Sequence, residues 1–168
     1  MQVDRINIAI LGSTNVGKST LISVISSARP KIANYPFTTL VPNLGVVEFH
    51  KKKKVFCDIP GLIEGAYTGK GLGDQFLRHV KRSKVLIHML DATSEHLEKD
   101  YLAIRNELEK FDKKLLKKPE IIVINKIDAV SDWKKKHAKF IKKYKPLAIS
   151  AVSKKGIKEL LGKIFKKN

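Results

Sequence analysis

Gly12-Ser13-Thr14-Asn15-Val16-Gly17-Lys18-Ser19 decides the fold. The apolar run Ile6-Asn7-Ile8-Ala9-Ile10-Leu11 stands before it and Thr20-Leu21-Ile22-Ser23-Val24-Ile25 after it. A buried strand over 5–11 is therefore expected to enter a glycine-bounded turn and leave as a helix over 18–27. In that context the stretch reads as a phosphate loop. Successive backbone N–H groups at the helix start form an anion nest, Lys18 can reach the outer phosphates, and the Ser19 hydroxyl can ligate the accompanying magnesium. Gly12 to Ser19, with Thr20, are the expected lining.

The chain has 168 residues, 43% of them hydrophobic, enough for one domain with a substantial core. Its 34 Lys and Arg against 16 Asp and Glu leave a formal charge of +18. Such a field attracts polyanions such as RNA or acidic lipid, without implying that a sequence is read. Lysine in the run 51–54 also guards a sheet edge against aggregation, a structural role that needs no ligand. The single Cys57 cannot form an internal disulfide and fits a reducing cytosol. It lies in a buried-strand pattern, as a core residue rather than a nucleophile. No run is long and apolar enough for a membrane span, so a soluble, cytoplasmic protein without stable membrane insertion is expected.

Further strands are expected at 45–50 and 54–59, joined by a lysine turn, and at 84–90, 120–125 and 146–150. The stretch 31–40 lacks periodicity and reads as a loop, as does the glycine-rich stretch from Gly61 to Gly73, which runs into a short helix near Asp74. Leu97, Tyr101, Ile104, Leu108 and Phe111 recur at helical spacing over 97–112. Ser131 or Asp132 can cap a helix through Trp133, His137, Phe140 and Ile141, and Ile157, Leu160, Leu161 and Ile164 mark a closing helix. Alternating helices and continuously apolar strands give an α/β fold: a mostly parallel six-stranded sheet with helices on both faces. His88 and Met89, inside a strand, read as core.

Ligands of such a sheet bind beyond the carboxyl ends of its strands. Asp58-Ile59-Pro60-Gly61 closes the third strand; its carboxylate can hold magnesium through water, and Gly61 offers a backbone N–H to a terminal phosphate. Asn125-Lys126-Ile127-Asp128 closes the fifth. The Asp128 carboxylate can accept from the ring N–H and exocyclic amine of guanine, a donor pair that adenine lacks. Asn125 ties this loop to the phosphate loop or accepts from the base, and the Lys126 stem lies over the ring. Ser150-Ala151-Val152 can bring a backbone N–H to the guanine carbonyl. Taken singly, Asp128 could equally cap the following helix and Ser150 close a turn. In Phe37-Thr38-Thr39 either threonine hydroxyl could join Ser19 on magnesium when the third phosphate is present.

These segments resemble the G domain of the bacterial Obg GTPases, within the TRAFAC class. The resemblance rests on the phosphate loop, ARPKIANYPFTTLVPNLGVV from Ala28, DIPGLIEGAYTGKGLGDQFLRHV from Asp58, LIHMLDAT, KPEIIVINKID and SAVSKKGIKEL. It implies a single Obg-type G domain over 1–168, with the three-layer P-loop NTPase fold of the Ras-like G domain. It further implies a monomeric GTP/GDP switch with slow hydrolysis, acting in ribosome assembly or stress response through ribosomal RNA or the large subunit. Thr39 resembles the magnesium-binding first-switch residue, and Asp58 and Gly61 the second-switch pair. Leu62 stands where Ras-like proteins carry a catalytic glutamine, and the resemblance implies Lys18, Thr39, Gly61 and Asn15 as the catalytic set. Asn15 resembles the asparagine that helps potassium-dependent relatives hold K+ near the phosphates. Family members normally carry an amino-terminal glycine-rich domain, which makes this either an excised domain or a reduced natural protein. Two rivals stand beside this expectation: a nucleotide-sensing RNA- or ribosome-binding module without hydrolysis, and an ATPase or nucleotide kinase, against which NKID argues.

Overall fold

The computed structural model describes residues 6–32, 43–59 and 80–166. Among these, seven strands form one sheet in the order β2-β3-β4-β1-β5-β6-β7. They are β1 (Ile8–Leu11), β2 (Lys31–Ile32), β3 (Asn43–Phe49), β4 (Lys52–Asp58), β5 (Val85–Asp91), β6 (Glu120–Asn125) and β7 (Leu147–Ala148). From β4 to β7 the pairings are parallel, whereas β2 and β3 run antiparallel at one edge. The helices are α1 (Lys18–Ile25), α2 (Leu97–Phe111), α3 (Trp133–Lys136), α4 (Ala138–Tyr144) and α5 (Ile157–Lys166).

Six strands were expected, and the seventh is β2. It lies in the stretch read as a loop, pairing Lys31 with Leu44 and Ile32 with Asn43. Two residues carry no readable period, so only the neighbouring strand makes them one. The helix expected through Trp133 and Ile141 is two short helices that meet at His137. There the backbone leaves helical geometry and the buried ring shares a 2.8 Å hydrogen bond with the Ala92 carbonyl. Asp132 occupies the N-cap of α3 without a side-chain capping bond; its carbonyl instead accepts from Lys135 and Lys136 N–H.

Side chains of a strand alternate between faces, and β1 divides the core accordingly. Ile8 and Ile10 pack with Leu21 and Ile22 of α1 and Leu160 and Ile164 of α5. Ala9 and Leu11 pack with Cys57, Leu86, and Ile104 and Leu108 of α2 on the other side. The result is the expected three layers. Fully burying each Leu, Ile or Phe contributes about 1.5–3 kcal/mol, which holds the strand ends in fixed relation. Cys57 is fully buried, and burial raises its thiol pKa well above the ordinary value, as befits a core residue.

His88 is fully buried against the Tyr101 ring, with neither ring nitrogen hydrogen-bonded among the described residues. Burial, aided by Arg105 and Lys18, lowers its pKa to about 3, so it stays neutral although Glu120 lies 3.9 Å away. An unfolded His binds a proton near pH 6.5, and the folded one does not until near pH 3. Stability contributed by this site is therefore present above the unfolded pKa and lost as pH falls from 6.5 toward 3. Urea unfolding at about pH 7.0 and 5.5 should show wild type losing about 1 kcal/mol more than His88→Leu. Equal losses would mean that His88 does not titrate on unfolding.

Candidate functional site

At the end of β1 the chain turns through residues 12–17 into α1, with Asn15 at φ 69° and Gly17 at φ 106°. A Cβ on Gly12 would come within 2.7 Å of Val16 Cγ2 and 2.8 Å of the Met89 carbonyl, so the turn must pass this close to β5 without a side chain. Val16 is buried and anchors the loop in the core, while Thr14 and Asn15 are exposed. Lys18 Nζ donates to the carbonyls of Gly12, at 2.6 Å, and Ser13, at 3.1 Å, and so lies across the loop.

Beside the loop, Asp58 ends β4 with 4% exposure. Ser19 Oγ donates to its Oδ2 at 3.2 Å, joining two residues that lie 39 apart in the chain. Asn43, which the motif reading missed, donates its backbone N–H to Asp58 Oδ1 at 3.0 Å and its amide to Oδ2 at 3.3 Å and to Ser19 Oγ at 3.2 Å. The hairpin turns at His50 and Lys51, earlier than the lysine turn expected between strands at 45–50 and 54–59, and the resulting register sets Asn43 opposite Asp58, so no sequence signal marked it. Ile59, expected among the ligand-binding residues, is buried, and its N–H donates to the Ile10 carbonyl at 2.9 Å. Its contribution is to extend the sheet beneath the site.

The β6 loop reaches the phosphate loop through two side chains. Buried Asn125 donates its amide to the Val16 carbonyl at 2.9 Å and accepts from Ala151 N–H at 3.0 Å, clasping three loops at once. Lys126, in left-handed backbone at φ 68°, donates Nζ to the Asn15 carbonyl at 2.6 Å and to Asp91 Oδ2 at 2.9 Å. Asp91 is a second residue that motif reading missed. Burial pushes its carboxyl up, but hydrogen bonds from Lys126 and Thr93 outweigh this and hold it below the ordinary carboxylate range. Its signal was its place at the carboxyl end of an apolar strand.

Gly17, Thr20, Asn125, Lys126, Asp128, Ala129, Ala151 and Val152 surround a cleft of about 170 Å³. Asp128 is exposed in it and takes no hydrogen bond among the described residues, so it caps no helix there. Ser150 is buried: its N–H donates to the Lys155 carbonyl at 3.0 Å and its Oγ accepts from Ser153 N–H at 3.1 Å. It closes the turn that carries Ala151 and Val152. Asn125 already engages the Ala151 N–H of that turn. The expected site residues Phe37, Thr38, Thr39, Pro60 and Gly61 lie outside the described residues, as do Leu62, the glycine-rich stretch to Gly73 and the short helix near Asp74.

The oxygen donors Ser19 and Asp58 suit a hard divalent cation. Asp58 is nearly buried, and its partners among the described residues are neutral N–H and O–H groups rather than a basic side chain. A cation therefore fits the donor set.

Residues 7–126 match the family model described as 50S ribosome-binding GTPase. "GTPase Obg" of Prochlorococcus marinus strain AS9601 is 52% identical over 165 residues, covering 95% of this chain and 50% of that protein. The chain thus spans about half the length of the curated relatives it matches. The G domain of the Thermotoga maritima FeoB iron transporter superposes with a TM-score of 0.70 at 22% identity, covering 97% of this chain and 98% of that one. A structure of Era in complex with MgGDPNP and nucleotides 1506–1542 of 16S ribosomal RNA gives a TM-score of 0.67 at 26% identity, over 96% of this chain and 56% of Era. With the loop, the clasp and the strand order in place, the chain belongs to the 50S ribosome-binding GTPase family, with a G domain of the Obg type.

Proposed function

We propose that this chain is a guanine-nucleotide switch that hydrolyses GTP slowly, in the cytoplasm, with ribosomal RNA or the large ribosomal subunit as partner. One observation carries the nucleotide reading: the Asn125 clasp holds the phosphate loop and the 150–152 turn around a cleft in which Asp128 is exposed and unengaged. A carboxylate there matches the two N–H donors on one edge of guanine and meets only acceptors or carbon on adenine. The partner is supported by the family description and by the charge of +18.

In this reading the triphosphate lies along the nest of residues 12–19, and Lys18 exchanges its two carbonyl acceptors for the outer phosphate oxygens. Ser19, Asp58 and Thr39 would hold magnesium, which when bound neutralises charge on the outer phosphates. Water attacks the third phosphate in line, and the nest and Lys18 stabilise the charge that develops. A leucine at position 62 cannot orient that water by hydrogen bonding. Asn15, exposed at the loop's apex, is the residue proposed to hold K+ beside the phosphates.

The test is titration of the pure chain with GDP, GTP and ATP, followed by single-turnover hydrolysis in KCl and in NaCl. GDP and GTP should bind at least about 100-fold more tightly than ATP, and phosphate release should be several-fold faster in potassium. Equal competition by ATP would refute the guanine reading, and equal rates in the two salts would sink the role of Asn15. Tight GTP binding without phosphate release above background would make the chain a binding module only.

A further inference from the structure

Parallel strands gather the loops that leave them at one end of a sheet and the segments that enter them at the other. The entering end lies opposite Ser19, Asp58 and Asn125. It collects Lys52 and Lys53 at the start of β4, Lys84 directly before β5, Lys113 and Lys117 in the 3-10 turn before β6, and Lys166 at the end of α5. All six are exposed, and among the described residues none makes an ion pair. Two ion pairs do stand at this end, Lys81 with Asp112 and Arg105 with Glu120, and Glu48 is in register opposite Lys53 across the hairpin without an ion pair to it.

The segments are stitched side by side. Lys54 Nζ stands 5.3 Å from the Phe165 ring centroid, and Phe165 lies 5.5 Å from Phe49, which joins the hairpin to α5. Asn7 connects β4 to Lys84, donating to the Val55 carbonyl and accepting from Lys84 N–H. Lys118 Nζ donates to the Ser83 carbonyl at 2.6 Å and so connects Lys84 to the turn before β6. Burial lowers the Lys54 pKa, and the charges of Lys84 and Lys52 lower it further, the mark of like charges held close. The large exposed apolar residues of the described chain, Ile32, Leu102 and Val152, lie in none of these segments.

We propose that this stripe docks the phosphate backbone of double-helical RNA, on the side of the sheet away from the nucleotide. Crowded like charges are relieved when phosphates come to lie beside them, and release of the cations condensed on the RNA drives binding. Lysine supplies point charges suited to a backbone and not to base reading. An anionic bilayer is the poorer match, because among the described residues none of these segments has a large apolar side chain that is fully exposed to enter it. The inference rests on the RNA half of the proposed function and is independent of the nucleotide half.

Full-length chain would be titrated into a labelled RNA duplex of about 16 base pairs at about 50 and 200 mM KCl. Wild-type affinity should fall about 1,000-fold between the two salts. The triple variant K52Q/K84Q/K117Q should bind about 30-fold more weakly at the lower salt, with a log–log salt slope shallower by about 3. A charge-matched control, K99Q/K135Q/K139Q, should weaken by less than about 3-fold. Equal weakening of both variants would mean diffuse attraction by net charge and would overturn the stripe while sparing the RNA reading. No duplex binding by wild type would overturn both. If the triple variant lost binding to phosphatidylserine vesicles but kept the duplex, the stripe would be a membrane surface and the proposal wrong. GDP affinity, measured on the same samples, should be unchanged in both variants and reports on the nucleotide reading separately.

Discussion

Asp128→Asn is expected to weaken GDP and GTP binding by about 100-fold to 10,000-fold while leaving the fold intact. The carboxylate is exposed in the cleft and takes no hydrogen bond among the described residues, so its loss removes no internal partner. Facing guanine, the amide keeps one acceptor and sets a donor against a donor, which leaves one base N–H unpaired in a confined space. The same amide suits a base whose exocyclic amine is replaced by a carbonyl, so xanthine nucleotides should gain affinity as guanine nucleotides lose it. Calorimetric titration with GDP and XDP checks the exchange, and a melting temperature within about 2 °C of wild type checks the fold. Unchanged GDP affinity would put the base somewhere other than this cleft.

Gly17→Ala should damage both nucleotide binding and stability. At φ 106° the backbone is in the left-handed region, and the new Cβ would collide with the side-chain amide of Asn125. To make room, either the loop shifts or Asn125 leaves its place. The second course strands the Val16 carbonyl and the Ala151 N–H, each a buried group that costs about 1–3 kcal/mol when unpaired. Urea unfolding should register a loss of about 2–4 kcal/mol, and GDP affinity should fall at least about 100-fold. Gly162→Ala provides the contrast, because a Cβ there meets nothing within 4 Å and lies inside α5. It should leave binding unchanged and stabilise by about 0.5–1 kcal/mol. If the two variants behaved alike, the loss would belong to glycine replacement in general and not to the Asn125 clasp.

Much of this architecture was legible in the chain because its periodicities are short. The unbroken apolar run Ile8–Leu11 predicts two buried faces, and helical spacing from Leu97 to Leu108 predicts what covers one of them. The strand at 31–32 was illegible because two residues define no period, and the break at His137 because a bond to the distant Ala92 carbonyl accompanies it. Asn43 and Asp91 escaped for a related reason. Each acts on a partner given by the sheet, Asp58 across a hairpin and Lys126 across a parallel pair, and no local motif records that adjacency.

Residue order alone was enough for the glycine-bounded turn between β1 and α1 and the division of apolar residues between two layers, because both depend on neighbours within a few positions. Strand order decided the rest. It set Asn125 against Val16, 109 residues away, and Lys126 against Asn15, 111 residues away. It thereby determined which polar groups are spent inside the protein and left Asp128 facing outward. The same parallel arrangement gathered lysines from four separate segments onto the far end of the sheet, where a list of charges along the chain shows only scattered runs. Hydrogen bonds and fields act through space over a few ångströms, so their partners follow from how the strands are laid side by side.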